Sequence, residues 1–86
     1  MKITTLENGP VLLKKEVRYA IVDDDGRRNE PNPDIMVSAQ LQVAAKHEEK
    51  DGWLVTSRES TGIWVVKEDQ PNIATLVVYV TYEKWQ

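Results

Sequence analysis

An acidic turn, Asp23–Gly26, is the first segment whose residue types could bind a ligand. Its three consecutive aspartates offer the carboxylate oxygens that Ca²⁺ prefers. An EF-hand loop needs a glycine at its sixth position and a glutamate at its twelfth. Counted from Asp23, Gly26 stands fourth and Asp34 stands twelfth, so the spacing does not fit. The segment instead predicts a solvent-exposed hairpin turn, in which Gly26 supplies a positive φ at little cost.

Nucleophilic and zinc chemistry have little support, because there is no cysteine and His47 is the only histidine. A zinc site would need carboxylates for its remaining ligands, which is not a usual zinc set. A catalytic triad would need His47 beside an activated serine, and no strained turn motif surrounds any serine. The charge run Lys46–Asp51 predicts an exposed turn, in which we expect Glu48 to contribute little to stability.

Two pairs of carboxylates, Glu48-Glu49 and Glu68-Asp69, are adjacent in sequence. Neighbouring residues on a strand point to opposite faces, so neither pair would converge in a cleft as general acid–base catalysis requires. The 4 glycines are dispersed singly, which excludes a glycine-rich phosphate loop. We therefore expect no catalytic residue, no bound cofactor and no metal ion, and a protein that is not an enzyme.

Composition narrows the function further. With 86 residues, 41% of them hydrophobic and 29% charged, the chain has the size and balance of one small globular domain. Its formal net charge of -3 gives no electrostatic basis for binding duplex nucleic acid. The longest nearly apolar run, Ile73–Tyr82, is too short to cross a bilayer as a helix, and the N-terminal residues lack the apolar core of a signal peptide. We expect a cytoplasmic protein without membrane contact.

Aromatic and arginine side chains concentrate binding energy in protein interfaces, and several stand where they could do so. Arg27 and Arg28 could hold a phosphate or a carboxylate bidentately. Trp85 either anchors an interface or packs back onto the domain, whereas Trp53 and Trp64 are expected in the core. The candidate interface residues are Trp85, Tyr79, Tyr82, Arg27 and Arg28.

Alternating or β-rich patterns, separated by turn residues, predict an all-β fold: a small antiparallel sandwich or open barrel of five to six strands. Ile73–Tyr82 is apolar in both registers, which predicts a strand that is buried on both faces. Lys15 is the one charged residue on the inward side of the second strand. The predicted strands are Lys2–Leu6, Leu12–Val22, Ile35–Lys46, Trp53–Glu59, Gly62–Lys67 and Ile73–Lys84.

The segment Ile35–Lys50 also fits a helix. A period of two places six apolar residues on one face, which favours a strand, whereas a period of 3.6 gives a narrower stripe of Val37, Leu41, Ala44 and Ala45. Pro33 at the first helical position and Gly52 after the last would start and stop such a helix. The alternative fold is therefore α+β, with one helix at about 33–50 packed on an antiparallel sheet.

The segment Glu59-Ser60-Thr61-Gly62-Ile63-Trp64, followed by the acidic pair Glu68-Asp69, resembles a motif in small uncharacterised proteins of phages and prophages. The resemblance spans at most Ile35–Asp69. It implies a strand at 35–46 and an origin as a viral accessory gene. The family brings no activity, cofactor or site residue with it.

Three classes of function remain. The first is a small non-enzymatic interaction protein, a phage or prophage accessory factor that binds a host protein. The second is a structural or assembly component of a virion or another homo-oligomer. The third is a small enzyme without a recognisable motif. In the first two, the partner is a protein or a second copy of the chain.

Overall fold

Three β-strands and one α-helix make up residues 10–86, the part of the chain that the computed structural model describes. The elements are β1 (Leu12–Asp23), a short 3₁₀ turn (Arg27–Asn29), α1 (Pro33–Glu49), β2 (Leu54–Lys67) and β3 (Gln70–Trp85). The α+β alternative fits this arrangement, and the five- to six-stranded all-β fold is not confirmed. The predicted strand Lys2–Leu6 lies outside the described residues.

The sheet has the order β1-β3-β2, so β3 lies in the centre. It pairs antiparallel with β1 from Leu12↔Trp85 to Asp23↔Ala74, and antiparallel with β2 on its other side. The two outer strands are therefore parallel to each other. Parallel strands need a crossover connection, and α1 supplies it between β1 and β2.

The prediction of a strand at Ile35–Lys46 is wrong, because this segment is the middle of α1. The narrow helical stripe is the one that packs: Val37 and Leu41 are buried, and Ala44 and Ala45 are half-buried. Ile35 and Val43, which only the strand pattern used, are exposed. High helix propensity of Ala, Gln, Lys and Glu, together with the end signals, outweighs the longer period-two match.

Local signals set both ends of α1. Pro33 occupies the first helical turn, where its missing N–H is not needed. At the other end the N–H of Trp53 donates to the carbonyl of Glu48, and the N–H of Gly52 donates to that of Glu49. This is a Schellman motif, and Gly52 fits it with a φ of 88°. The Asp51-Gly52 dipeptide therefore ends a helix, and the predicted exposed turn at Lys46–Asp51 is largely the last turn of α1.

Strand β2 joins two predicted strands, Trp53–Glu59 and Gly62–Lys67, into one continuous element. Its pairing with β3 shifts between Ser60 and Trp64, where Gly62 has a φ of 72°. A two-residue turn at Glu68 and Asp69 then leads into β3, so the turn comes before Gln70 rather than at Gln70–Asn72. The β-bulge around Gly62 explains why the sequence pattern predicts two strands where the structure has one continuous strand.

One layer of contacts forms the core. α1 packs on one face of the sheet, and its buried stripe meets the alternate residues of β3. The buried cluster consists of Ile21, Val37, Leu41, Leu76, Val78, Val80 and Tyr82, with Val17, Tyr19, Met36, Trp53 and Trp64 packed against it at partial burial. The prediction that Trp53 and Trp64 belong to the core is confirmed to that extent.

The opposite face of β3 is left half-exposed, from Thr75 through Val77 and Tyr79 to Glu83. The prediction that Ile73–Tyr82 is buried on both faces is therefore wrong for the single chain. Only the face that carries Ala74, Leu76 and the other even-numbered residues is covered. The sheet has a closed side under α1 and an open side that no element within residues 10–86 buries.

Replacing Val78 with aspartate tests the position of the core. Val78 is 1% exposed, so Val78→Asp places a carboxylate without a partner beneath α1. We expect a loss of about 3 kcal/mol or more in the free energy of unfolding, measured by urea titration or thermal melting. Val43→Asp on the exposed side of α1 is the control, with an expected change below about 0.5 kcal/mol. Equal stability of the Val78→Asp variant and the parent would contradict this core.

Candidate functional site: the open face of the sheet

The open face is the side of the sheet opposite α1. The cross-strand register fixes its members, because directly paired residues point to the same side. β1 contributes Leu12, Lys14, Glu16, Arg18, Ala20 and Val22; β3 contributes Ile73, Thr75, Val77, Tyr79, Thr81, Glu83 and Trp85; β2 contributes Leu54, Ser57, Glu59, Val65 and Lys67.

One end of the open face is apolar. A groove of about 420 Å³ runs there between β2 and β3, lined by Val65, Lys67, Gln70, Ile73, Thr75 and Val77. Val65 is 60% exposed, and Val22 across the sheet is 47% exposed. β-branched side chains that stand exposed side by side form a surface that is favourable to cover.

The other end of the open face carries a second apolar group. Leu12, Leu54 and Trp85 line a groove of about 370 Å³ together with Thr56 and Glu83. Trp85 is 68% exposed, so it does not pack back onto the domain. An exposed indole beside two leucines is the kind of anchor that protein interfaces use.

Charged residues of both signs occupy the middle of the open face. Lys14, Glu16 and Arg18 alternate along β1, and Lys14 lies directly opposite Glu83 of β3. Glu59 of β2 lies opposite Tyr79. Cross-strand neighbours of opposite sign stabilise the sheet modestly and leave the face without a strong field of either sign.

The five sequence-predicted interface residues fall in three places. Trp85 and Tyr79 lie on the open face. Tyr82 lies on the closed side, 1% exposed, with its hydroxyl 2.7 Å from that of Tyr19. It therefore has no free surface for a partner. Arg27 and Arg28 belong to the turn after β1.

That turn is organised around a buried carboxylate rather than solvated throughout. Asp23, 1% exposed, accepts backbone N–H bonds from Asp25 and Arg27 on Oδ1 and from Arg28 on Oδ2, the last at 2.7 Å. The Arg28 guanidinium lies 3.8 Å from the same Oδ2. Burial by itself would raise the pKa of Asp23, but the hydrogen bonds, that from the Arg28 N–H foremost, leave it below the ordinary value. The Arg28 side chain thus makes a loose ion pair with Asp23, and its buried Nη1 has no hydrogen-bond partner within residues 10–86. The same residues contain no cluster of three potential metal ligands.

The closed side holds one further polar cluster, around Lys15. Its Nζ lies 2.6 Å from Glu48 Oε2 and 4.5 Å above the ring of Trp53. Lys84 approaches the same ring at 4.9 Å. Lys15, whose charge interrupts the inward apolar pattern of β1, therefore links the last turn of α1 to the sheet. The expectation that Glu48 lies in an exposed turn is wrong.

The hydroxyl of Tyr82 is held protonated beside this cluster. Burial raises its pKa, and the hydrogen bond with Tyr19 raises it further. A phenol of this kind remains neutral throughout the physiological range, so Tyr82 does not act as a base there. Its role in the described structure is to pack and to hold Tyr19.

Sequence patterns missed the open face as a site, although one signal pointed to it. A strand that is apolar in both registers needs cover on both faces, and the pattern does not say whether the same chain or another subunit supplies it. It predicts burial of Ile73 and Val77, whereas Ile73 is exposed and Val77 is half-exposed. The register of the sheet places Val65 of β2 beside them.

No protein-family model matches the chain, and neither a curated protein nor a solved structure matches it. Within residues 10–86, no helix has the length and the apolar character needed to cross a bilayer.

Replacing Glu48 with glutamine tests the link between α1 and the sheet. Glu48→Gln keeps the size of the side chain but removes its charge, so the short bond to Lys15 loses its ionic component. We expect the free energy of unfolding to fall by about 1 kcal/mol, measured by urea titration. Glu49→Gln, next to it and exposed, is the control and should change stability by less than about 0.5 kcal/mol. If the two variants were equally stable, the ion pair would not hold the helix.

Acid titration tests the buried Asp23. Its pKa is lowered in the folded state from the ordinary 3.8. The stabilisation that it provides is therefore present above about pH 4 and is lost as the pH falls through the folded-state pKa. We expect Asp23→Asn to melt lower than the parent at pH 7 and to lose less on acidification below about pH 4. Asp24→Asn, in the exposed part of the turn, should retain the acid dependence of the parent. The same acid slope in the Asp23 variant would contradict this role.

Proposed function

We propose that this chain is a small non-enzymatic interaction protein and that the open face of the sheet is its binding surface. The observation that carries the proposal is the exposed second face of β3, whose apolar residues continue onto Val65 of β2 and Val22 of β1. An apolar sheet face gains free energy when a partner covers it, at roughly 25 cal/mol per Å².

The polar groups of the interior favour binding over catalysis. Asp23 is saturated by backbone donors, Lys15 is paired with Glu48, and Tyr82 is held neutral by burial. A catalytic acid, base or nucleophile must instead be within reach of a substrate. Each of these groups has a partner within the fold, so an enzyme without a recognisable motif is the weaker candidate.

The resemblance of Glu59–Trp64 to a motif of phage and prophage proteins adds a biological setting to the proposal. In that setting the chain is an accessory factor that acts in the cytoplasm and binds a host protein. Glu59 lies on the open face, and Gly62 forms the bulge of β2 beside it. The resemblance alone supports this setting.

A structural or assembly component is the second candidate. It is favoured by the mixture of charges on the open face, where cations and anions alternate along β1. A surface of this kind matches a copy of itself as well as it matches a foreign protein.

A capture experiment with paired variants tests the binding surface. The tagged chain is incubated with a bacterial lysate, and bound proteins are identified by mass spectrometry. We expect a defined partner, or the untagged chain itself when co-expressed, to be retained by the parent and by Val43→Asp. Val65→Asp should lose it, because a carboxylate in the apolar groove must be desolvated on binding. Circular dichroism of both variants checks that they are folded.

Retention of the same partner by Val65→Asp would place the binding surface elsewhere on the chain. Absence of any retained protein with the parent, together with no self-capture, would overturn the proposal itself.

A further inference from the structure

We infer that the occupant of the open face is a second copy of this chain, and that two sheets stack through their open faces into a four-layer dimer of helix, sheet, sheet and helix. This inference rests on the proposed function, since it concerns the same binding surface and names a second copy of the chain, rather than a host protein, as its occupant. Sheets pack face to face about 10 Å apart through their apolar side chains, and the open face offers such side chains at its two ends, around Val65 and around Trp85.

Charge is the first argument for a second copy. The open face carries three cations, Lys14, Arg18 and Lys67, and three anions, Glu16, Glu59 and Glu83. The whole chain has a net charge of -3, so the surplus of negative charge lies away from this face. Two copies can therefore approach through it without net repulsion, and each sign on one copy has its opposite available on the other.

Area is the second argument. The pairing of β1 with β3 extends over 12 residues, which corresponds to about 40 Å of strand, and three strands are about 14 Å across. Two stacked faces of that size would bury on the order of 1,100 Å² in total, which clears the limit of roughly 1,000 Å² for a specific interface. An area of this size lies at the low end for specific protein interfaces, in the range of weak and transient complexes.

The edges of the sheet favour stacking over growth by edge pairing. The outer strand β2 has register shifts at three places, including the Gly62 bulge. The outer strand β1 carries Lys14, Glu16 and Arg18. Bulges and charges along edge strands oppose the addition of another strand. These features favour association of two copies through the open face over association through the edges of the sheet.

Sedimentation velocity over a range of concentrations tests the dimer. We expect the parent and Val43→Asp to show a concentration-dependent dimer. Val65→Asp, with an unchanged circular dichroism spectrum, should have a dissociation constant at least tenfold higher. The two valines are similarly exposed, 60% for Val65 and 72% for Val43, but lie on opposite sides of the molecule.

Charge reversal provides a second test that does not depend on the apolar groove. Arg18→Glu gives the open face a net charge of about −2 and Glu59→Lys gives it about +2, by the count of three charges of each sign. Each variant alone should dimerise more weakly than the parent. An equimolar mixture should form heterodimers more strongly than either variant forms homodimers, at low ionic strength.

A parent that stays monomeric at millimolar concentration would overturn the second copy as occupant. The interaction proposal would still be decided separately, by whether the parent captures a different protein that Val65→Asp loses. A dimer that persists in Val65→Asp, or charge-reversed variants that do not prefer each other, would place self-association on another surface and would also overturn the inference.

Discussion

Within residues 10–86, the architecture depends on β3, with which both other strands form their backbone hydrogen bonds. In that part of the chain β1 and β2 do not pair with each other, so each is held in the sheet by its register with β3. This constraint makes the outer strands parallel and demands a crossover, which α1 provides. It also fixes which side of β3 is covered by α1, because a crossover helix lies on one face of the sheet.

Within residues 10–86, α1 covers one face of the sheet, although the sequence of β3 is apolar enough for both of its faces to be covered. The apolar residues of β3 continue through both registers, and the packing of α1 uses the register of Leu76, Val78 and Val80. The other register, with Val77 and its neighbours, stays half-exposed. The open face, the binding surface proposed for it and the inferred dimer thus have one cause. β3 is apolar on both faces, and α1 covers one of them.

Sequence patterns predicted the strands better than the helix, and the reason is physical. β1 and β3 alternate or carry dense β-branched residues, which are local signals. Ile35–Lys46 satisfies the periods of both structures, and only its propensity and ends, Pro33 and Gly52, favour the helix. Trp85 and Tyr79 could be proposed as interface residues from their residue types. The burial of Tyr82 and the proximity of Val65 to Val77 could not be predicted, because they depend on the register across the sheet, which no local pattern contains.

The order of the strands along the chain has a consequence for folding. β3 is synthesised after both of its neighbours, so the pairs that β1 and β2 form with it must wait until the segment Gln70–Trp85 is available. α1 can form early from local contacts, but the sheet must wait for contacts between residues as far apart as Leu12 and Trp85. Long-range pairing of this kind slows folding, and during that wait the unpaired strands stay exposed to proteases and to other chains. Truncation that reaches Glu83 would shorten the pairing of both outer strands at once, because β1 pairs with β3 as far as Trp85 and β2 as far as Glu83. This protein should therefore tolerate truncation of β3 less well than the exposure of Trp85 suggests.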